Sequence, residues 1–297
     1  MKIRNLLMLI FISSLHFHTL FSYGENSSSQ KVTPLKIFIL AGQSNMVGFG
    51  AINGPQGTME ALVKSQAGKY AHLVGDHGQA IPRDDVWMVD LSTETKQGYL
   101  STGFGAKSHY IGPEYAFGIE LGNYLSEPVL IIKCAWGGKS LYHDFLPPGA
   151  RKSEPAPKDG DHGFYYSEIL RHVREITQNL KKYCPVYKGT DFEIIGFGWH
   201  QGWNDRLEQD AVDIYESNLV HLIEAIRKDL AIPELPFVIA NTGMSGWQVP
   251  ERYRAKVEQH LDAQLAVGDF RKYPQFEGNV ATVETRVFRR APDVSPA

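Results

Sequence analysis

Six short apolar runs, each ending in small or polar residues and separated by stretches of helical period, constrain this chain more than any other feature. Leu35 to Ala41 is rich in Ile and Phe and stops at Gly42, and a weaker run covers Val86 to Val89. Val129 to Ile132 leads into Lys133-Cys134-Ala135, and Ile194 to Trp199, Phe237 to Ala240 and Val280 to Val283 follow. Continuous apolar runs of this length suit strands buried on both faces, the condition of a parallel sheet. Between them, Pro113 after Gly112 is a favourable helix start, and Phe117, Leu121 and Leu125 repeat every four residues before Pro128. Ile169, Val173, Ile176 and Leu180 mark a second helix, and Val212, Tyr215, Leu219, Leu222, Ile223, Ile226 and Leu230 a third, closed by Pro233. Tyr253, Val257, Leu261 and Leu265 mark a fourth. Strand and helix in repetition imply parallel crossovers, hence a three-layer α/β/α sandwich around a central parallel sheet. The stretch from Gly48 to Ile111 is a long Gly-rich excursion interrupted by the Val86 run.

A chain with 43% hydrophobic and 21% charged residues can bury a large core and is not of disordered composition. Its formal net charge of −3 lacks the basic excess that phosphate binding requires, so no nucleic-acid partner is expected. Lys2 and Arg4 precede an apolar run from Leu6 to Leu15 that weakens through His16, His18 and Ser22 towards Gly24. This pattern predicts a signal peptide over residues 1–24, with an uncleaved anchor as the alternative because Phe17, Leu20 and Phe21 lengthen the span. Either way the domain is expected to be exported, to a secreted or periplasmic location, with no membrane contact beyond the leader. Residues 25–34 read as a polar linker, and the folded domain is placed at 35–297. Oligomeric state is left open.

In a parallel sheet the residues just after each strand gather along one edge, where ligands bind. Three segments meet there: Ala41-Gly42-Gln43-Ser44-Asn45-Met46, Ala135-Trp136-Gly137-Gly138-Lys139-Ser140 and Trp199-His200-Gln201-Gly202-Trp203-Asn204-Asp205. Singly, each has a bland reading as a helix cap or a tight turn. Together they supply what acyl transfer needs. Ser44 is expected at a helix start, where backbone N–H groups and the helix dipole favour developing negative charge. Its own N–H, that of Gly137 or Gly138, and the Gln201 amide form a candidate oxyanion hole. Gln43, Asn45, His200 and Trp203 are candidates for supporting the site or touching substrate. The chain has no Gly-x-Ser-x-Gly, Walker loop, Gly-x-Gly-x-x-Gly after a strand or His-Glu-x-x-His, so phosphate, dinucleotide and zinc chemistry lack motif support, and no metal or cofactor is expected. Cys134 falls at this edge and Cys184 after a helix returning to the other, which predicts two separate buried thiols.

Gly42-Gln43-Ser44-Asn45-Met46, Gly112-Pro113-Glu114 before a helix, Ala135-Trp136-Gly137-Gly138 and Trp199-His200-Gln201-Gly202 resemble the sialate O-acetylesterase-type carbohydrate esterases. These are a branch of the SGNH hydrolases that includes acetylxylan esterases. The resemblance spans about Leu35 to Ala297. It implies a flavodoxin-like three-layer fold and removal of acetyl groups from an acetylated carbohydrate, sialate or polysaccharide, without a metal. It also implies Ser44 as nucleophile, with a glycine of the Gly137-Gly138 pair and Gln201 in the oxyanion hole.

Two departures stand out. Trp203 occupies a place where the family commonly carries Glu, and an indole cannot accept a proton. Asn204 and Asp205 are then candidates to compensate or to cap a helix, and Trp203 to stack on a sugar or to pack. The family also places an Asp-x-x-His base after its last strand, before a closing helix. Here no histidine follows His260, and Asp293 has Pro296 at the third place. The expectation is a chain that is C-terminally incomplete and lacks the closing helix, with a catalytically impaired carbohydrate-binding protein as the alternative. Without that helix, apolar side chains near the first strands are expected to lie uncovered.

Overall fold

The computed structural model describes residues 33–75, 79–150, 163–243 and 246–289. The leader over 1–24, most of the linker, and Asp293 with Pro296 lie outside the described residues. In chain order the elements are β1 (Leu35–Gly42), α1 (Ser44–Val47), β2 (Gly50–Ala51), α2 (Met59–Ser65), α3 (Ala67–Tyr70), β3 (Arg83–Asp90), β4 (Lys96–Leu100) and β5 (Tyr110–Ile111). They continue with α4 (Pro113–Tyr124), β6 (Val129–Ala135), α5 (Phe164–Gln178), α6 (Leu180–Tyr183), β7 (Phe192–His200), α7 (Gln209–Asp229), β8 (Phe237–Ala240), α8 (Glu251–Val267) and β9 (Val280–Val283). Every apolar run became a strand. The helix starts follow local rules too: Pro113 sits in the first turn of α4, and the Thr58 hydroxyl caps α2 by accepting from Ala61 N–H.

The main sheet has seven strands in the order β4-β3-β6-β1-β7-β8-β9. Six are parallel, and β4 pairs antiparallel to β3, so the sheet is mixed rather than wholly parallel. The Lys96-Gln97-Gly98-Tyr99-Leu100 strand lacks the continuous apolar run because it is an edge strand with alternating exposure, which only a period-two reading would detect.

Each sheet face has its own core. One side packs Ile37, Ile39, Leu130, Ile132 and Phe237 under α5, α7 and α8. The other packs Phe38, Leu40, Val86, Met88 and Ile131 under Tyr115 and Ile119 of α4. On this second side the uncovered positions are not where the sequence placed them. Phe38 and Leu40 of β1 are buried because they lie across β7 at Gly196 and Gly198, where a Cβ would come within 2.7 Å of either side chain. Phe117 of α4 closes over Phe38 edge-on at 5.5 Å. Exposure falls instead on the last two strands, at Val238 (44%) and Val283 (43%), where no described helix lies over the sheet. Cys134 and Cys184 are both free and buried, as expected from the topology.

Candidate functional site

The carboxyl edge is assembled by close approach of three strand ends. Gly42 pairs with His200 and with Ala135 across the sheet, and Trp136 N–H donates to the Gly42 carbonyl at 3.1 Å. Gly42 has φ of 152°, and a Cβ there would stand 2.3 Å from the His200 carbonyl oxygen. Only glycine lets β1 and β7 meet at this point. The chain then turns through Gln43 into the single turn α1, which presents Ser44 half-buried at a cleft of about 500 Å³. Asn45, Phe49, Ile111, His200, Thr285 and Phe288 are among the lining residues. As the first residue of α1, Ser44 has an N–H outside the helical ladder. One turn carries little macrodipole, so the expected help from a helix dipole reduces to these backbone N–H groups.

Gln43 is the hub. Its Oε1 accepts from Gln201 Nε2 (3.2 Å), Gly202 N–H (3.1 Å) and Asn204 N–H (3.2 Å). Its Nε2 donates to Asn204 Oδ1 at 3.3 Å and reaches Ser44 Oγ at 3.4 Å. Asn204 Nδ2 in turn donates to the Gly138 carbonyl at 2.7 Å. Ser44, the Gly137-Gly138 turn and the β7 loop are therefore tied through two carboxamides. Both glycines are exposed, Gly138 with φ of 72°, and a Cβ at either would meet nothing within 4 Å.

Gln201 lies deeper than its expected role requires. It is fully buried, and its Nε2 donates to Lys139 O (2.9 Å), Gln43 Oε1 and Asp205 Oδ2 (2.5 Å), while Oε1 accepts from the Tyr215 hydroxyl (3.0 Å). Its amide hydrogens are occupied within the protein. Asp205 does not cap a helix either: it accepts from Leu141 and Tyr142 N–H at 3.0 and 2.8 Å, clamping the β6 loop to the β7 loop. Burial pushes its carboxyl up to about 6, against the hydrogen bonds that favour the anion. Asn204 begins the 3-10 turn Asp205–Leu207 without a side-chain cap bond, so the capping expectation fails for both residues.

His200 lines the Ser44 cleft, with Nε2 at 3.3 Å from Asn45 Nδ2. Burial holds its imidazole down at about 4, although a hydrogen bond to the backbone of Asn241 works the other way. It is neutral at ordinary pH, and a proton on Nδ1 leaves Nε2 to accept from Asn45. Trp203 is half-buried, with the Arg206 guanidinium 3.2 Å from its ring centre. Phe104 and Tyr142 are buried, whereas Phe49 and Phe288, which carry no sequence pattern of their own, line the cleft.

Lys133 and Glu114 complete the support from behind. Both side chains are fully buried, paired at 2.8 Å. Lys133 Nζ also donates to Val47 O and Phe104 O at 2.8 Å each, and Glu114 accepts from Gly112 N–H at 2.7 Å. The pair anchors the end of α1 to the start of α4. The Gly-Pro-Glu motif announced a helix start; the buried partner on β6 was hidden within an apolar run.

Three strand ends meeting at the carboxyl edge of an α/β sheet place Ser44, the Gly137-Gly138 turn and two carboxamides at one rim. The chain belongs to the carbohydrate esterase, sialic acid-specific acetylesterase family, whose model matches residues 34–276. That match stops short of β9, whereas the sequence resemblance was drawn to residue 297. The chain is 24% identical over 243 residues to a probable carbohydrate esterase of Arabidopsis thaliana, covering 80% of each. Among solved structures, an Arabidopsis thaliana protein aligns with a TM-score of 0.55 at 21% identity, covering 89% of this chain and 90% of that one. NanS aligns with a TM-score of 0.50 at 15% identity, over 89% and 82% of the two chains. A carbohydrate acetylesterase from Xanthomonas citri gives 0.50 at 14%, over 88% of this chain and 52% of its own. These structural likenesses show the fold. No described helix is long and apolar enough to cross a membrane.

Proposed function

We propose that this carbohydrate esterase is an exported O-acetylesterase in which Ser44 is the nucleophile. The observation that carries the reading is the half-buried Ser44, open to a cleft of about 500 Å³ and tied through Gln43 and Asn204 to the Gly138 turn. Ser44 Oγ bonds to the acetyl carbon, the sugar oxygen leaves with a proton, and water then releases acetate and restores the hydroxyl. The Ser44 N–H and an N–H of Gly137 or Gly138 stabilise the oxyanion. In this assignment Asn204 supplies the carboxamide. It is half-exposed beside Gly138, whereas Gln201, the sequence candidate, is sealed and holds Asp205 and Gln43 in place. His200 fixes Asn45 at the cleft.

One observation favours a second reading. Gln43 Nε2 points a donor at Ser44 Oγ, and among the described residues no carboxylate or imidazole accepts from that hydroxyl. A carbohydrate-binding protein without turnover would look the same. Acetate release from acetylated xylo-oligosaccharides and O-acetylated sialate separates the two. The esterase reading expects turnover in the parent and a loss of about 10³-fold or more in Ser44→Ala. Saturable binding of these sugars with no acetate released by the parent would establish the second reading, and a Ser44→Ala protein as active as the parent would remove Ser44 as nucleophile.

A further inference from the structure

A second cleft, of about 350 Å³, opens beyond the loop that carries Asn204. Leu207, Val249, Pro250 and Val257 form apolar walls, and Arg206, Lys256 and Tyr253 bring polar ends to it. The volume falls near the lower end of the range of about 300–1,000 Å³ for small-molecule sites.

Arg206 is the unexplained group. Its guanidinium carbon lies over the Trp203 ring, 3.2 Å from the ring centre, and it forms no ion pair among the described residues. Its Nε is buried with no hydrogen-bond partner, as is Nε2 of His260, one helical turn beyond Lys256 and Val257 on α8. Burial lowers the Arg206 pKa, the mark of a cation losing water without gaining an anion. Across the cleft, Lys256 Nζ donates to the Leu207 carbonyl at 3.1 Å, which places a second positive charge at the rim with no carboxylate partner among the described residues. Tyr253 is exposed. A half-buried guanidinium whose Nε has no partner loses water without compensation, and its planar fork matches a carboxylate. Stacking on Trp203 pre-sets the fork, so little side-chain freedom is lost when an anion arrives.

The location supplies the rest. Arg206 stands two residues after Asn204, which Gln43 links to Ser44. The loop tied to Ser44 is thus the one that carries Arg206, and the two clefts have separate linings. We propose that the cleft between Trp203–Leu207 and the first half of α8 is a subsite for an acidic saccharide unit, whose carboxylate pairs with Arg206 while Lys256 and Tyr253 hold its rim. The proposal rests on the carbohydrate-esterase reading for the kind of molecule bound, but not on turnover.

The test is a calorimetric titration of the full chain with methyl glucuronide, methyl glucoside and inorganic sulfate. Methyl glucuronide is expected to bind at least about tenfold more tightly than methyl glucoside, with affinity falling as salt rises. Arg206→Gln should weaken glucuronide about tenfold, and Lys256→Gln, at the half-exposed rim, about threefold with a shallower salt dependence. Lys256→Gln carries the test if Arg206→Gln loses its thermal transition. In the active parent, Arg206→Gln should also lower the kcat/KM ratio of acidic over neutral acetylated oligosaccharides about tenfold, through KM. Equal binding of glucuronide and glucoside by the parent would overturn the proposal. Sulfate binding as tightly as glucuronide, with the same loss in Arg206→Gln, would show a bare oxyanion site and overturn the saccharide assignment. A parent that releases no acetate yet prefers glucuronide would sink the esterase reading and leave this one standing.

Discussion

Replacing Lys133 with Met tests whether the buried pair behind α1 holds the nucleophile turn. Lys133 and Glu114 are both 0% exposed, so water cannot take over when either is removed. In Lys133→Met, the Glu114 carboxylate keeps only the Gly112 N–H, and the Val47 and Phe104 carbonyls each lose a donor. Breaking a buried pair by removing one partner costs about 3–5 kcal/mol. Glu114→Gln should cost about 3 kcal/mol by the same argument, since Nζ then remains charged among neutral oxygens. In the double variant no charge is buried, and the two under-satisfied carbonyls, at about 1–3 kcal/mol each, are a penalty that Lys133→Met carries as well. The double variant should therefore be more stable than Lys133→Met alone, with a coupling of at least about 2 kcal/mol in the cycle. Urea unfolding of the four proteins, followed by tryptophan fluorescence, measures it. Costs that simply add, or a Lys133→Met penalty below about 1 kcal/mol, would refute the reasoning.

Asp205 makes a pH prediction. Its carboxyl is raised from 3.8 to about 6 by burial, so between those values the folded chain binds a proton that the unfolded chain releases. Stability should fall as pH rises through this window, by about 1.4 kcal/mol per unit and about 3 kcal/mol in all. Asp205→Asn lacks that slope, so the parent's advantage over it should shrink between pH 4 and 6 in urea titrations; an unchanging difference contradicts the raised value. Gly42→Ala sets a Cβ 2.3 Å from the His200 carbonyl at a φ of 152°. It should cost more than about 2 kcal/mol by thermal or chemical unfolding, and a near-neutral effect would mean that β1 and β7 do not meet as closely as described.

The strands that build the site were legible because burial on both faces leaves a nearly continuous apolar run, as in residues 37–41 and 129–132. The half-exposed β4 left no such trace. Candidate residues were legible in a different sense. Ser44, Gly138 and Gln43 could be placed at one edge from strand direction alone, but the role of each carboxamide could not. Gln201 and Asn204 stand three residues apart on one loop, and one is sealed under Asp205 and Tyr215 while the other opens beside Gly138. Lys133 read as the polar end of a strand, because its partner Glu114 and the carbonyls it holds come from segments remote in order.

Local order along the chain determined the elements, their sequence and the rim to which the loops lead, since periodicity, proline and glycine act over a few neighbouring residues. Tertiary structure alone decided which polar groups remain available at that rim. An amide hydrogen, a carboxylate lone pair or a guanidinium face is free or engaged according to what distant segments bring within 3 Å. That competition leaves Ser44 and Asn204 open, closes Gln201, and sets Arg206 on Trp203 with no described carboxylate to pair it.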